Sequence, residues 1–313
     1  MDALTDILNN IRLHTQTFFC DDFSAPWGMH IESSDRGLFH IVIQGHCTLR
    51  LPDGEAFLEL EEGDIVAFPT GAEHWISDAS KTVSLPGKQV LQGIMQGTNP
   101  FSAKHIHETP SASARMLCGA LLYDSSIKHP FLRDLPQLIF SPRQNNTAIW
   151  RQALIERLSC ETRNTLQGGA IVVDRLTEVL FVDLLREHIQ KEAQDNNFLH
   201  ALNDPKIGKA LNLIHSNTEQ IWTVESLSQM IGLSRGRFTQ RFSNLVSESP
   251  KSYLNRHYLS HAKHLLQHSD LSMLDIALRA GYQSEAAFSK AFKKMFDVSP
   301  GKSRRLQEPE TSV

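Results

Sequence analysis

No stretch of this 313-residue chain is apolar enough to cross a membrane. The most apolar run, 170–189, is broken by Asp174, Arg175, Glu178, Asp183 and Arg186. Cysteine is scarce: Cys20, Cys47, Cys118 and Cys160 are the four, and none stands in a Cys-x-x-Cys spacing. That argues against a zinc finger and fits reduced thiols in a cytoplasm. A secretory leader is not expected, because residues 1–10 already carry Asp2 and Asp6 and have neither a basic start nor an apolar centre. Positive charge is short as well. The 31 Lys and Arg face 35 Asp and Glu, a net charge of −4 that on its face speaks against nucleic acid. The deficit is uneven, however. Residues 204–313 hold 15 basic and 10 acidic side chains, and the rest of the chain holds 16 and 25. The basic excess therefore sits in one segment, as binding to a phosphate backbone requires.

That segment contains the same pattern twice. The first copy runs Leu227-Ser228, Gly232-Leu233-Ser234, Phe238, Phe242 and Ser249-Pro250. The second runs Ile276-Ala277, Gly281-Tyr282-Gln283-Ser284, Phe288, Phe292 and Ser299-Pro300. The offset is 49 residues up to the glycine and 50 after it, so Gln283 is one extra residue in the second turn. A pattern that survives such an insertion is a repeated structural unit. Each copy predicts helix, tight turn, helix. Thr223 and Ser272 can cap the first helices, Ser234 and Ser284 the second, and each glycine stands where a chain leaving a helix needs positive φ. The phenylalanine pairs are four apart and share an inner face. This is a helix-turn-helix signature, whose second helix enters the DNA major groove.

Residues 204–305 resemble the DNA-binding domain of the AraC/XylS family of bacterial transcription regulators. Arg241-Phe242, Tyr253-Leu254, Ala262, Leu265-Leu266, Phe288-Ser289 and Phe292-Lys293 add to the repeat residues in carrying the resemblance. Two departures stand out: Tyr258 occupies a position where the family usually has arginine, and Ser303 one that is commonly aromatic.

The N-terminal two thirds has a different texture. An amphipathic lead-in helix is expected over residues 1–20. Short strands are expected at 38–43, 47–51, 64–68 and 115–123, with a turn at Pro52-Asp53-Gly54 between two of them, which suggests an all-β barrel or jelly roll. Gly63, Pro69-Thr70-Gly71 and Glu73-His74 are similar to a cupin motif. Ala25-Pro26-Trp27, Phe39-His40, Gly45, Cys118-Gly119 and Leu135-Pro136 resemble the cupin-type sensor domain of one branch of the AraC-like regulators. A long loop is expected from Gly93 to Ala114. Helices follow at 147–161 and 170–190, the second apolar on more than one face. Such a helix packs on two sides. A wholly intrachain fit and a subunit contact are both open, and the resemblance favours a dimer.

The expected fold class is α+β: a cupin-like β-barrel with two dimerisation helices over residues 1–192, a linker at 193–203, a double helix-turn-helix domain at 204–306 and a tail at 307–313. The expected function is sequence-specific DNA binding that regulates transcription under control of a small-molecule or chemical signal. The partners are double-stranded promoter DNA, an unidentified effector, a second copy of the chain and, as the resemblance implies, RNA polymerase. No catalysis and no cofactor are expected. Arg235, Gly236, Thr239 and Gln240, with Glu285, Ala286, Ser289 and Lys290 in the second copy, are the candidate DNA readers. An ordinary solvated helix face is the plain alternative for them. Lys302, Arg304 and Arg305 are placed for phosphate. His40, His74 and Cys118 are the candidate ligand-binding residues. His74 stands where metal-binding cupins place a ligand, but the paired histidines that should precede it are broken up, with His30 and Glu32 merely nearby, so no metal is assigned. His105 and His107 lie in the long loop, where solvation is the simpler reading. Two alternatives stay open: a thiol redox switch at Cys20 and Cys118, and a cupin metalloenzyme carrying a DNA-binding domain.

Overall fold

In the computed structural model, residues 2–52, 57–102, 113–124, 129–143, 149–163, 166–191, 197–216 and 220–305 are described. The turn at 53–56, His105 and His107, most of the linker's polar half and the tail lie outside them. In chain order the first elements are α1 (Ala3–Asn10), β1 (His14–Ser24), β2 (Gly28–Ile31), β3 (Gly37–Gln44), β4 (His46–Arg50) and β5 (Phe57–Glu61). Then come β6 (Ile65–Phe68), β7 (His74–Ser77), β8 (Leu85–Pro86), α2 (Gly87–Met95) and β9 (Ser113–Leu122). Next are α3 (Pro130–Arg133), β10 (Ile139–Ser141), α4 (Ile149–Arg163) and α5 (Gly169–Lys191). The remainder is helical: α6 (Phe198–Asn203), α7 (Ile207–Ser216), α8 (Val224–Met230), α9 (Arg235–Val246), α10 (Pro250–His268), α11 (Met273–Arg279), α12 (Glu285–Phe296) and α13 (Pro300–Arg305).

The strands form two five-stranded sheets, ordered β1-β9-β3-β6-β10 and β5-β4-β7-β2-β8. Among the described residues the pairing gives two sheets facing one core rather than one continuous ring. The register explains the core. His40 pairs with Cys118 and Val42 with Met116, so these four project to one face of the first sheet. Met29, Leu49 and Ile76 are aligned across the second. Val42, Met116 and Cys118 join Met29, Leu49, Ile76, Phe23 and Trp27 in one buried cluster. The other face of β3 is buried too: Phe39 and Ile41 are covered like the inner residues. Helix α5 docks by polar as well as apolar contacts. The Thr15 hydroxyl meets Asp174 O and Thr177 Oγ1, each at 2.6 Å, and Thr17 N–H donates to Asp174 Oδ1 at 2.8 Å. Arg151 of α4 pairs with Asp183 and Glu187 of α5 and donates to Ser141 of β10.

Three expectations change. The first helix ends at Asn10 and β1 begins at His14: Ile11 caps the helix and still reaches the core, and Arg12 turns the chain out of it at φ of 50°. The loop expected from Gly93 loses its start to α2, whose Val90 fills the core. The segment 197–203 is no bare connector: Asn197 accepts from His200 N–H and caps α6, which buries Phe198, Leu199 and Ala201.

Internal packing divides the chain into two units. One comprises the described parts of Met1–Arg12, Asp124–Asp134 and Ile189–Val313; the other is Leu13–Tyr123 with Leu135–His188. Residues 1–12 and 124–134 thus go with the helical unit, whereas the expected boundary placed them with the strands. The cause is specific side-chain chemistry. Ala3 N–H donates to Asn212 Oδ1 at 2.8 Å, and Asp6 meets His215, both on α7. Phe198 N–H donates to Asp134 Oδ2 at 2.8 Å.

Within the helical unit the repeat is visible in the backbone. Thr223 and Ser226 form a reciprocal cap on α8, and Ser272 caps α11 with Asp275. Gly232 and Gly281 have φ of +68° and +82°. Leu233 N–H and Tyr282 N–H reach back to Ser228 O and Ala277 O and close the turns. Ser234 and Ser284 cap α9 and α12. These two helices end alike, with Ser247 and Asp297 at φ of 59° and 60°.

Candidate functional site

The β-rich unit brings His40, His74 and Cys118 together. His40 lies on β3 opposite Cys118 of β9, and His74 opens β7 of the facing sheet. His40 Nδ1 is 3.0 Å from Cys118 Sγ, and its Nε2 is 2.9 Å from His74 Nε2. His74 Nδ1 is 2.7 Å from Ala72 O. All three residues are buried, and the His74 ring stacks on Phe68 at 3.7 Å.

Burial decides the protonation of this chain. It holds the His40 imidazole well below its usual value, with the neighbouring His74 adding to the effect. It lowers His74 to about 4, against a smaller opposing pull from the Ala72 carbonyl. It pushes the Cys118 thiol well up, with Cys20 and Cys47 contributing. All three groups are therefore neutral near pH 7, and the hydrogens then have one consistent assignment. His74 Nδ1–H must donate to the carbonyl, which leaves its Nε2 as an acceptor. His40 Nε2–H donates to that nitrogen, and His40 Nδ1 accepts from the Cys118 S–H. The chain buries three polar groups with no net charge.

Beside it opens a cavity of about 540 Å³, lined by Phe18, Phe19, Met29, Leu38 and Leu91, with His40 and Cys118 at the wall. A concave, mostly apolar space with a few convergent polar atoms is the usual form of a small-molecule site. The sequence pattern pointed to the polar residues. It did not reveal Phe18, Phe19 or Leu91, because the first two fell in the expected N-terminal helix and residues 87–92 of α2 carried no expectation.

The cupin-type metal ligands do not converge. His30 pairs with Glu73 at 2.7 Å and stacks on Trp75, aligned across β2 and β7 with the residues that face away from Met29 and Ile76. Glu32 is taken by Lys88 at 2.9 Å on the surface. Nor do Cys20 and Cys118 face each other. Phe19 is the strand partner of Cys118, so Cys20, one residue on, projects to the opposite face of the sheet. A disulfide between them would require backbone movement.

In the helical unit, Phe238, Phe242, Phe288 and Phe292 are completely buried. That turns Arg235, Gly236 and Gln240 outward on α9, and Glu285, Ala286 and Lys290 outward on α12; Thr239 and Ser289 are half-buried beside them. Arg237 is also exposed on the first turn of α9, a position the sequence pattern did not single out. Lys302 is exposed on α13, whereas Arg304 is turned inward: its guanidinium donates to Leu271 O at 2.7 Å. Arg304 thus joins α13 to the chain ahead of α11. Tyr258, the departure from the usual arginine, has its own task. Its hydroxyl accepts from Trp222 N–H at 2.6 Å and donates to Gln220 O at 3.3 Å, holding the entry to α8.

Comparison with known proteins agrees with both halves. A family model described as a cupin matches residues 2–190, and one described as a helix-turn-helix domain matches residues 227–306. The HTH-type transcriptional regulator AlkR of Acinetobacter baylyi is 31% identical over 302 residues, covering 96% of this chain and 98% of that protein. An uncharacterized HTH-type transcriptional regulator of Haemophilus influenzae is 29% identical over 308 residues, covering 97% and 99%. The HTH-type transcriptional regulator MtrA of Neisseria gonorrhoeae is 28% identical over 308 residues, covering 97% and 98%.

Proposed function

We propose that this chain, which belongs to the AraC/XylS-type helix-turn-helix transcription regulators with an N-terminal cupin-like domain, adjusts its promoter binding in response to a small, largely apolar molecule held beside His40 and Cys118. The observation that carries the effector reading is the cavity itself: a largely apolar wall that ends on His40 and Cys118, two members of the neutral hydrogen-bonded chain. His40 and Cys118 present a neutral wall that suits the apolar part of a guest, while Glu32, Asp35, Arg36 and Lys88, which also line the cavity, offer charged partners to a polar end. Effector binding would shift the population of conformations competent for DNA. On the DNA side, the exposed faces of α9 and α12 would read base edges and Lys302 would meet phosphate.

A second copy of the chain is the partner favoured by α4 and α5. Ile171 and Val179 on α5 stand 62% and 52% exposed, and Trp150 of α4 is exposed as well. Apolar side chains displayed on helices that already bury their opposite faces fit a subunit contact. RNA polymerase and a cytoplasmic setting belong to the same reading. A thiol switch at Cys118 fits poorly, because burial keeps that sulfur protonated and the thiolate is the reactive form.

Thermal-shift screening of small apolar compounds tests the effector reading. Hits should raise the melting temperature of the wild type and not of Leu91→Trp, which narrows the cavity at its wall. Equal shifts in both proteins would place the binding elsewhere.

A further inference from the structure

The helical unit holds a second buried cluster that DNA binding does not use. Asp6 of α1, His215 of α7 and His257 of α10 each bring one donor atom to within 4.8 Å of the other two. One carboxylate oxygen and two imidazole nitrogens suit a divalent first-row transition metal. We propose that Asp6, His215 and His257 bind one such cation, with zinc as its representative, and that the ion fastens α1 to the helical unit.

The unpaired member of the cluster points to a ligand. His257 is 7% exposed, and its Nε2 is buried with no hydrogen-bond partner among the described residues. A buried nitrogen left unpaired is costly, and a coordinate bond would satisfy it.

The other two residues are already held as metal ligands are. His215 Nε2 is 2.7 Å from the Tyr253 hydroxyl, which in turn is 3.4 Å from His129 Nε2. A ligating imidazole is oriented in this way through its second nitrogen. Asp6 Oδ2 also accepts from Asn10 Nδ2 at 2.8 Å, which fixes the carboxylate. His215 Nδ1 and Asp6 Oδ2 are 2.5 Å apart across a shared hydrogen. The cation takes the place of that proton, which leaves to solvent. With metal–ligand bonds of about 2.0 Å in a tetrahedron, the two donors would sit roughly 3.3 Å apart, so the pair opens by less than about 1 Å. Water fills the fourth position. A purely structural Asp–His–Tyr network accounts for His215 but leaves the His257 nitrogen without a partner.

The test uses the full-length protein freed of metal, with zinc chloride titrated against a competing chromophoric chelator. The control is the double variant His264→Gln/His268→Gln, because these two rings stack at 4.3 Å on α10 and offer an exposed chelating pair. The wild type and this double variant should each take up one zinc per chain, and His257→Gln should weaken uptake by about 100-fold or more. No stoichiometric zinc in the wild type overturns the proposal. So does loss in the surface variant with retention in His257→Gln. Cobalt(II) added to the wild type gives a readout that needs no variant to fold. Visible absorption without a thiolate charge-transfer band is expected, and such a band would assign the ion to cysteine and overturn the site.

Discussion

Two buried histidine clusters, one in each unit, solve the same problem in opposite ways. His40, His74 and Cys118 pass hydrogens in one direction and end on a backbone carbonyl, so nothing charged is buried and no nitrogen is left over. The cluster around Tyr253 includes the Asp6 carboxylate, has two rings converging on one hydroxyl, and leaves His257 Nε2 unpaired. Histidine under burial is thus a neutral wall in one case and a polar hub in the other. What differs is the neighbouring group: a thiol and a carbonyl in the first, a carboxylate in the second.

The largest expected break in this contrast is Tyr253→Ala. Tyr253 is fully buried, stacks near Phe198 at 6.1 Å, and its loss strands both His215 and His129. A cost of about 3–5 kcal/mol is expected. Urea unfolding of the full chain should show it, with DNA binding lost alongside. His74→Phe keeps a ring on Phe68 but removes the acceptor for His40 Nε2–H, for about 1–3 kcal/mol. Gel shifts with this variant should show DNA binding retained, since the damage stays in the other unit.

Acidification probes the neutral cluster directly. His40 and His74 are harder to protonate in the fold than in the unfolded chain, so lowering the pH favours unfolding. Stability of the β-rich unit should be greatest above about pH 6.5, the ordinary histidine value. It should fall as the pH drops towards 4, by about 1.4 kcal/mol per pH unit for each such histidine. Melting curves across this window should be shallower in their pH dependence for His74→Phe, and an unchanged slope would contradict the neutral assignment.

Changes outside both clusters provide the baseline. Gln240→Ala should leave melting unchanged while costing about 1–3 kcal/mol on the cognate site and relaxing preference at one base pair, as a binding-site selection would read. Lys302→Ala should have the smallest effect, lowering the salt slope of binding by about one unit. Arg304→Ala should instead lower stability by about 1 kcal/mol, because its guanidinium serves Leu271 O.

The two helix-turn-helix copies were legible because their determinants are local. A serine cap, a glycine at positive φ and phenylalanines four apart act within a dozen residues. Even so, Ser247 and Asp297, the left-handed residues that end α9 and α12, went unremarked, since neither is glycine. Strands whose apolar runs are bounded by turns were legible too. Residues 14–20 of β1 were not, because Thr15, Thr17 and Phe19 become strand only through the β9 partner. Helix α2 was not foreseen: its last three residues fell in the expected loop, and it puts Val90 fully in the core with Ile94 packed partly buried against it.

Repetition, charge segregation and the capping grammar are written in residue order, so the helical unit and its outward faces followed from the chain alone. Which distant side chains meet did not. The pairing of His40 with Cys118 depends on strand register across 78 residues, and the pairing of Asp6 with His215 spans 209. No local pattern encodes such separations. They arise when whole apolar faces are buried at once, and that burial placed α1 with the helices, turned Arg304 inward and left one histidine nitrogen without a partner.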